Sequence, residues 1–452
     1  MGKQRKGHVI SKLPNQKGFI LVLNTGAEID AQAEAMLQAL HSRSTGGIKH
    51  HLKVLKEKGA EGFMERFYVG YGHKSIGDCG SATVFVEGVS MLAAKAIQDW
   101  RLYSGQEAST RYVDFSKQIF LDPLNSKRTN KILEDWREFY LDAQKPLQNH
   151  LKEKFPIQEG ENENIYNKAI AARAFDITRS FLPAGATTNV AWRMNFRQFA
   201  DELMLLRHHP LKEVRDIADT AEKALFKMFP NSFGHERFDH TEKYNESWIN
   251  KEYYHRNKDL NKFTLLFNGI DRKLLKQHKR VMEKRPFKTE LPTMIGECGV
   301  LGYEFLLDFG SFRDLQRHRA VVQRMPLLTQ DHGFEGWYLD SLPKDLRKKA
   351  DKLIASQEKK IMNLKTDDET RQYYIAMGYR VPCRVIGDLK ALTYLVELRS
   401  TRFVHPTLVA QMLDMIKSLK RLFEKDGLIF HLDEEPNRFD IGRGTHDIVE
   451  KK

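Results

Sequence analysis

The chain has 452 residues, enough for two to four domains at roughly 100–200 residues each. Hydrophobic residues make up 41% and charged residues 29%, which excludes global disorder, and no apolar run approaches the ~20 residues needed to span a bilayer. The net charge of +13 favours anionic partners such as nucleotides, phosphorylated cofactors or nucleic acid, although a well-solvated surface gives the same figure.

In chain order, the basic stretch Met1 to Lys6 is followed by no signal-type apolar core, and Lys6 breaks the myristoylation pattern. A cytoplasmic protein with no membrane partner is expected. Phe19 to Gly26 predicts a buried strand ending in a turn. Gly70 to Ser75 comes near GxGxxG but ends in Ser without a clear βαβ setting. Val89, Leu92, Ala96 and Trp100 fit the 3.6-residue period and predict a long amphipathic helix. Ser104 to Tyr112 then reads as a loop opened by Gly105. Glu107, Ser109 and Arg111 alternate there, so an extended loop points all three to one side. A carboxylate, a hydroxyl and a guanidinium together suit a hydroxylated, phosphorylated ligand. Spacing alone leaves a surface loop with a local ion pair open.

Arg179 stands three residues before Leu182-Pro183. Asn195 and Arg197 open a helix that closes at Leu206-Arg207. Pro210 starts another, with Val214, Ala218, Ala221, Leu225 and Met228 on one face. The polar residues 236–259 read as a connector. Phe263 to Gly269 then repeats the shape of Phe19 to Gly26. Phe305, Phe309, Phe312 and Leu315 repeat the amphipathic helix. It ends in Arg317-His318-Arg319, and because successive helical residues point about 100° apart, not all three face solvent. Such a cluster suits a phosphate or an aromatic ring; a helix terminus with dipole-matched cations is the plainer alternative. A helix closing at Leu398-Arg399 and one starting at Pro406 complete the parallel. These matches point to an α+β chain of two copies, residues 1–235 and 260–452. Cys79, Cys298 and Cys383 are too scattered for a zinc site or a disulfide framework, so free thiols and no metal are expected.

Taken together, the segments resemble the flavin-dependent thymidylate synthases. The residues that carry the resemblance are Gly72-His73-Lys74-Ser75 with Asp78, Glu107-Ala108-Ser109-Thr110-Arg111-Tyr112, Arg179 before Leu182-Pro183, Asn195-Phe196-Arg197 and Leu206-Arg207 in copy one. In copy two they are Arg317-His318-Arg319 and Leu398-Arg399. Neither copy carries the whole pattern. Copy one reads Asp99-Trp100-Arg101 where Arg-His-Arg belongs, and copy two reads Asp388-Leu389-Lys390 where Asn-x-Arg belongs. The resemblance implies a fold of two fused units, each a central antiparallel sheet with helices, forming a pseudo-dimer. It implies one composite site, with Arg317, His318, Arg319 and Arg399 facing Glu107, Ser109, Arg111 and Arg179. The reciprocal site at Asp99, Trp100 and Arg207 would be degenerate, and a homodimer would imitate the family's tetramer.

The implied reaction converts dUMP to dTMP with methylenetetrahydrofolate as methylene donor and NADPH as reductant, through FAD. Glu107, Ser109, Arg111, Arg179 and Arg399 would bind the nucleotide. Ser75, Asp78, Asn195, Arg197, Arg317, His318 and Arg319 would hold the flavin, and Arg399, Arg317 and Ser109 would be closest to the chemistry. The alternatives are a flavin-dependent methyl or hydroxymethyl transferase on another pyrimidine nucleotide, and a non-catalytic nucleotide- or nucleic-acid-binding homologue.

Overall fold

In the computed structural model, residues 7–15, 17–42, 44–110, 113–253 and 257–433 are described. They divide into two compact units, one within 1–113 and 186–253, the other within 114–185 and 254–452. These units do not follow the division expected from the sequence: residues 114–185 lie inside the expected first copy but pack with the second half. The stretch read as a connector contains the helix Asp239–Tyr253.

The first unit is built on an antiparallel sheet of β1 (Val9–Lys12), β2 (Phe19–Val22), β3 (Ser81–Ser90), β4 (Ser104–Glu107) and β5 (Thr187–Asn195), in the order β1-β2-β3-β5-β4. Along β3, Ala82, Val84 and Val86 are buried at alternate positions, as a strand with one face on the core requires. A bulge at Gly88 shifts the register from Glu87↔Asn189 to Val89↔Thr188. Gly88 has φ +70°, and a Cβ there would lie 2.7 Å from the Lys17 carbonyl oxygen, so both backbone angle and space call for glycine. The helix Lys212–Met228 packs on β1 and β2 through an apolar stripe of Val214, Ile217, Ala218, Ala221 and Leu225, as its spacing predicts.

The second unit holds β6 (Thr264–Asn268), β7 (Val300–Asp308), β8 (Val322–Arg324) and β9 (Arg380–Asp388), antiparallel in the order β6-β7-β9-β8. It also contains the helices Lys127–Lys154, Glu163–Thr178 and Lys344–Met362. Residues 180–185 run antiparallel to 373–378: Pro183 bridges Ala376, Ala184 N donates to the Ile375 carbonyl (2.9 Å), and Gly378 N donates to the Ser180 carbonyl (2.7 Å).

The long helix expected through Val89 and Trp100, and its copy through Phe305 and Leu315, is in each case a strand followed by a short helix, Met91–Gln98 or Phe309–Leu315. Ser90 (ψ 159°) and Asp308 (ψ 146°) stay extended and cap the helices through Ala93 N and Ser311 N. The apolar spacing crosses the junction because an inward strand residue and the first helical turn bury the same side. The stretch from Ser104, read as a loop, opens with β4. Asn195 and Asp388 cap the helices Phe196–Leu206 and Leu389–Arg399 in the same way. Among the described residues no helix is long and apolar enough to cross a membrane. Cys298 and Cys383 are buried free thiols and Cys79 is partly exposed.

Candidate functional site

The strongest cluster is in the second unit. The helix Phe309–Leu315 ends just before Arg317-His318-Arg319, and the last turn of Leu389–Arg399 brings Arg399 to it. Arg317 and Arg319 are exposed, whereas His318 is buried. The Arg399 Nε–H donates to His318 Nε2 (2.6 Å), which places the imidazole proton on Nδ1. The Gln323 side chain donates to the His318 carbonyl (2.6 Å), and Tyr394 lies 5.8 Å from the imidazole ring. Burial, reinforced by the Arg399 charge, lowers the His318 pKa to about 3, so the ring is neutral at physiological pH. Arg399 is itself lowered, by burial first and then Arg317, with Asp314 opposing.

Arg179 belongs to the same unit. Its side chain is 14% exposed and lies 4.0 Å from Asp176. Burial acts to lower its pKa, but Asp176, Tyr338, Asp314 and Asp308 raise it on balance. Asp314 thus influences Arg179, His318 and Arg399 alike. A ligand phosphate at Arg179 would compete with Asp176. Behind these residues is a buried network that the sequence pattern does not announce. Asp308 accepts from Ser311 N (2.9 Å), Tyr338 Oη (2.8 Å) and Thr407 Oγ1 (2.6 Å), while Ser311 Oγ lies 3.0 Å from His405 Nδ1. Burial, then Arg179, lowers the His405 pKa to about 3. The His-Pro dipeptide before a helix was the available signal for this network; Tyr338 gave none. Gln372, which stands where Arg179 would fall in the expected second copy, accepts from Leu328 N (2.8 Å).

In the first unit, Asp78 accepts from Arg197 Nη1 (2.9 Å) and Asn195 Nδ2 (3.2 Å). Arg197 Nε is 3.6 Å from Asp201, which also meets Lys74 at 3.5 Å. Ser75 is exposed in the short helix Lys74–Gly77. The structure therefore brings together Asp78, Asn195 and Arg197, three of the seven residues the resemblance assigns to a flavin, with Ser75 three residues before Asp78 in sequence. Their hydroxyl, amide, guanidinium and carboxylate groups fit the ribityl hydroxyls and phosphates of such a cofactor.

Glu107 ends β4, and Gln98 donates to it (2.8 Å). Ser109 is exposed, one residue beyond the Ala108 N bond to the Asn189 carbonyl (2.8 Å). The strand stops at Glu107, so the alternation expected through Ser109 is not continued by sheet pairing. Arg111 lies outside the described residues. The residues of the expected degenerate site form separate pairs: Asp99 with Lys95 (2.7 Å), Trp100 with Gln198 (2.9 Å), and Arg207 with Glu222 (3.2 Å) and Glu242 (2.8 Å). Among the described residues, no group of His, Cys, Asp and Glu is arranged to hold a metal ion.

Residues 22–231 match the family described as thymidylate synthase complementing protein. The chain is also similar to a UPF0159 protein of Chlamydia muridarum (strain MoPn / Nigg), with 26% identity over 80% of this chain and 78% of that protein. A UPF0159 protein of Chlamydia pneumoniae is 25% identical over 75% of each chain. UPF0159 protein Ta1429 of Thermoplasma acidophilum is 23% identical over 77% of this chain and 84% of its own. The resemblance to flavin-dependent thymidylate synthases is thus supported over residues 22–231, the segment that matches the thymidylate synthase complementing protein family.

Proposed function

We propose that the protein is a flavin-dependent enzyme that reductively methylates dUMP to dTMP, with methylenetetrahydrofolate giving the one-carbon unit and NADPH the hydride. The observation that carries this reading is the Arg399–His318 pair in one compact unit with Arg179, all three under the influence of Asp314. Neutral His318 accepts the Arg399 Nε–H and so sets the plane in which the guanidinium's outer nitrogens donate. A pyrimidine carbonyl in that plane gains stabilisation as negative charge builds on its oxygen. Arg179 and Arg111 bind the nucleotide phosphate, and Glu107 and Ser109 its sugar and phosphate, as the motif assigns them. Arg317, His318, Arg319, Ser75, Asp78, Asn195 and Arg197 would hold FAD, as the resemblance assigns them. When bound, the flavin supplies the redox chemistry, and the protein supplies position and field.

Two features support a duplicated chain. The strand orders β2-β3-β5-β4 and β6-β7-β9-β8 correspond. In addition, Pro183 bridges Ala376, its own counterpart in the repeat, as residues do across a twofold axis. A homodimer would then present four repeats.

A second reading is methyl or hydroxymethyl transfer to another pyrimidine nucleotide. Asp314, whose charge acts to raise the Arg399 pKa, favours it, because a carboxylate can accept from a base amino group that uridylate lacks. The test is tritium release from the pyrimidine C5 of dUMP and of dCMP, with folate and NADPH present. Release from dUMP supports the first reading and release from dCMP alone the second. Colourless protein inactive on both overturns them in favour of a binding protein.

A further inference from the structure

One stretch of the second unit is densely basic. From Arg272 to Lys288 the chain carries eight lysines and arginines and one acidic residue, Glu283. This stretch forms the helices Arg272–Gln277 and Lys279–Glu283 and the loop that follows. Leu275 and Met282 anchor the helices in the core. Three of the cations are engaged: Arg272 with Asp426 (2.6 Å), Lys279 near Glu283 (3.7 Å), and buried Arg285 with Glu397. The other five, Lys273, Lys276, Arg280, Lys284 and Lys288, are exposed, and among the described residues none meets a carboxylate.

An aromatic ring stands among them. Phe287 is 62% exposed, with His431 edge-on at 5.8 Å and the Lys288 ammonium 5.6 Å from its ring centre. Lys288 has φ +59°, a conformation that usually calls for glycine. An exposed phenylalanine and a strained lysine do nothing for the core.

We propose that this face binds single-stranded nucleic acid, with Lys273, Lys276, Arg280, Lys284 and Lys288 along the phosphates and Phe287 stacking on a base. Cations flanking an exposed ring are the elements of sequence-tolerant single-strand recognition. An anionic membrane fits less well: Leu275 and Met282 point into the core and Val281 is the one exposed large apolar residue of these two helices, whereas a surface-binding helix needs a continuous apolar face. The inference does not depend on the proposed activity.

The test is fluorescence anisotropy of labelled oligoadenylate, titrated with the full-length protein across salt concentrations with saturating FAD present, so that neither the proposed pyrimidine-nucleotide site nor the proposed flavin site can take it up. The variant K273E/K276E/R280E/K284E should bind at least tenfold more weakly. Its log–log salt dependence should flatten by about 0.7 for each phosphate it no longer neutralises. Phe287→Ala should weaken single-strand binding about fivefold or more and leave duplex binding unchanged. If the quadruple variant does not fold, the single Lys→Gln variants should each reduce the salt slope. Wild-type protein that fails to bind at low salt, or variants that bind like wild type, would overturn the proposal. So would binding through these lysines to phosphatidylserine vesicles but not to oligoadenylate.

Discussion

The two units solve one structural problem in opposite ways. In each, a strand runs into a short helix, and that junction is tied to the start of a long helix following a His-Pro step. In the first unit the strand ends at Ser90, and the carboxylate comes from the long helix: Glu213 accepts from Ser90 N (2.8 Å) and Ser90 Oγ (2.5 Å). In the second unit the carboxylate is on the strand. Asp308 accepts from Thr407 on the long helix, from Tyr338 and from its own helix through Ser311 N. Both arrangements put an anion near helix N-termini, where backbone N–H groups favour it. What persists is the electrostatic requirement; which residue meets it has changed. The histidines before the prolines, His209 and His405, are both kept neutral, by burial above all.

Breaking the second junction should cost most. Asp308→Ala removes the cap and leaves two buried hydroxyl donors without their acceptor, so a loss of about 3–5 kcal/mol is expected in urea unfolding. Asp308→Asn, which keeps an acceptor, should recover roughly half. Ser90→Ala should cost less, about 1–2 kcal/mol, because Glu213 still reaches the Ser90 N–H.

The pH dependence sharpens the comparison. His318 and His405 titrate near 3 when folded, against an ordinary value of 6.5. Between those values the unfolded chain binds more protons, so stability falls as pH drops from about 6.5 towards 3. Each histidine contributes a slope of up to ~1.4 kcal/mol per pH unit. His405→Gln should flatten the urea midpoint against pH across that window, while above about 7 neither histidine should add any slope. Gly88→Ala should destabilise by about 1–3 kcal/mol, since it adds a Cβ both at φ +70° and against Lys17.

Helices with a continuous apolar stripe were legible in the sequence. Lys212–Met228 and Pro406–Phe423 run as their spacing predicts, the second with Pro406 in its first turn. The strand–helix junctions were not, because Ser90 and Asp308 interrupt a pattern that apolar spacing alone carries straight through. Arg317, His318, Arg319 and Arg399 were singled out from the sequence, but periodicity did not say which would be buried or that Arg399 would bond to His318. Burial of His318 follows from Arg399 reaching back across 81 residues of chain, a contact that no local rule contains. The Asp308 network was hidden for the same reason, since Tyr338 and Thr407 come from distant segments. The packing of residues 114–185 with the second half depends on pairing between 180–185 and 373–378, which linear order conceals.

The central claim, that Arg399 oriented by neutral His318 acts on a pyrimidine nucleotide beside a flavin, is tested most directly by one paired measurement. The purified wild-type protein and its Arg399→Ala variant are assayed for a visible flavin spectrum and for tritium release from dUMP with methylenetetrahydrofolate and NADPH. Both proteins should be yellow, with release by the variant slower by about 10²–10³-fold. Equal release by the two proteins, or a wild-type protein that carries no flavin and releases none, would contradict it.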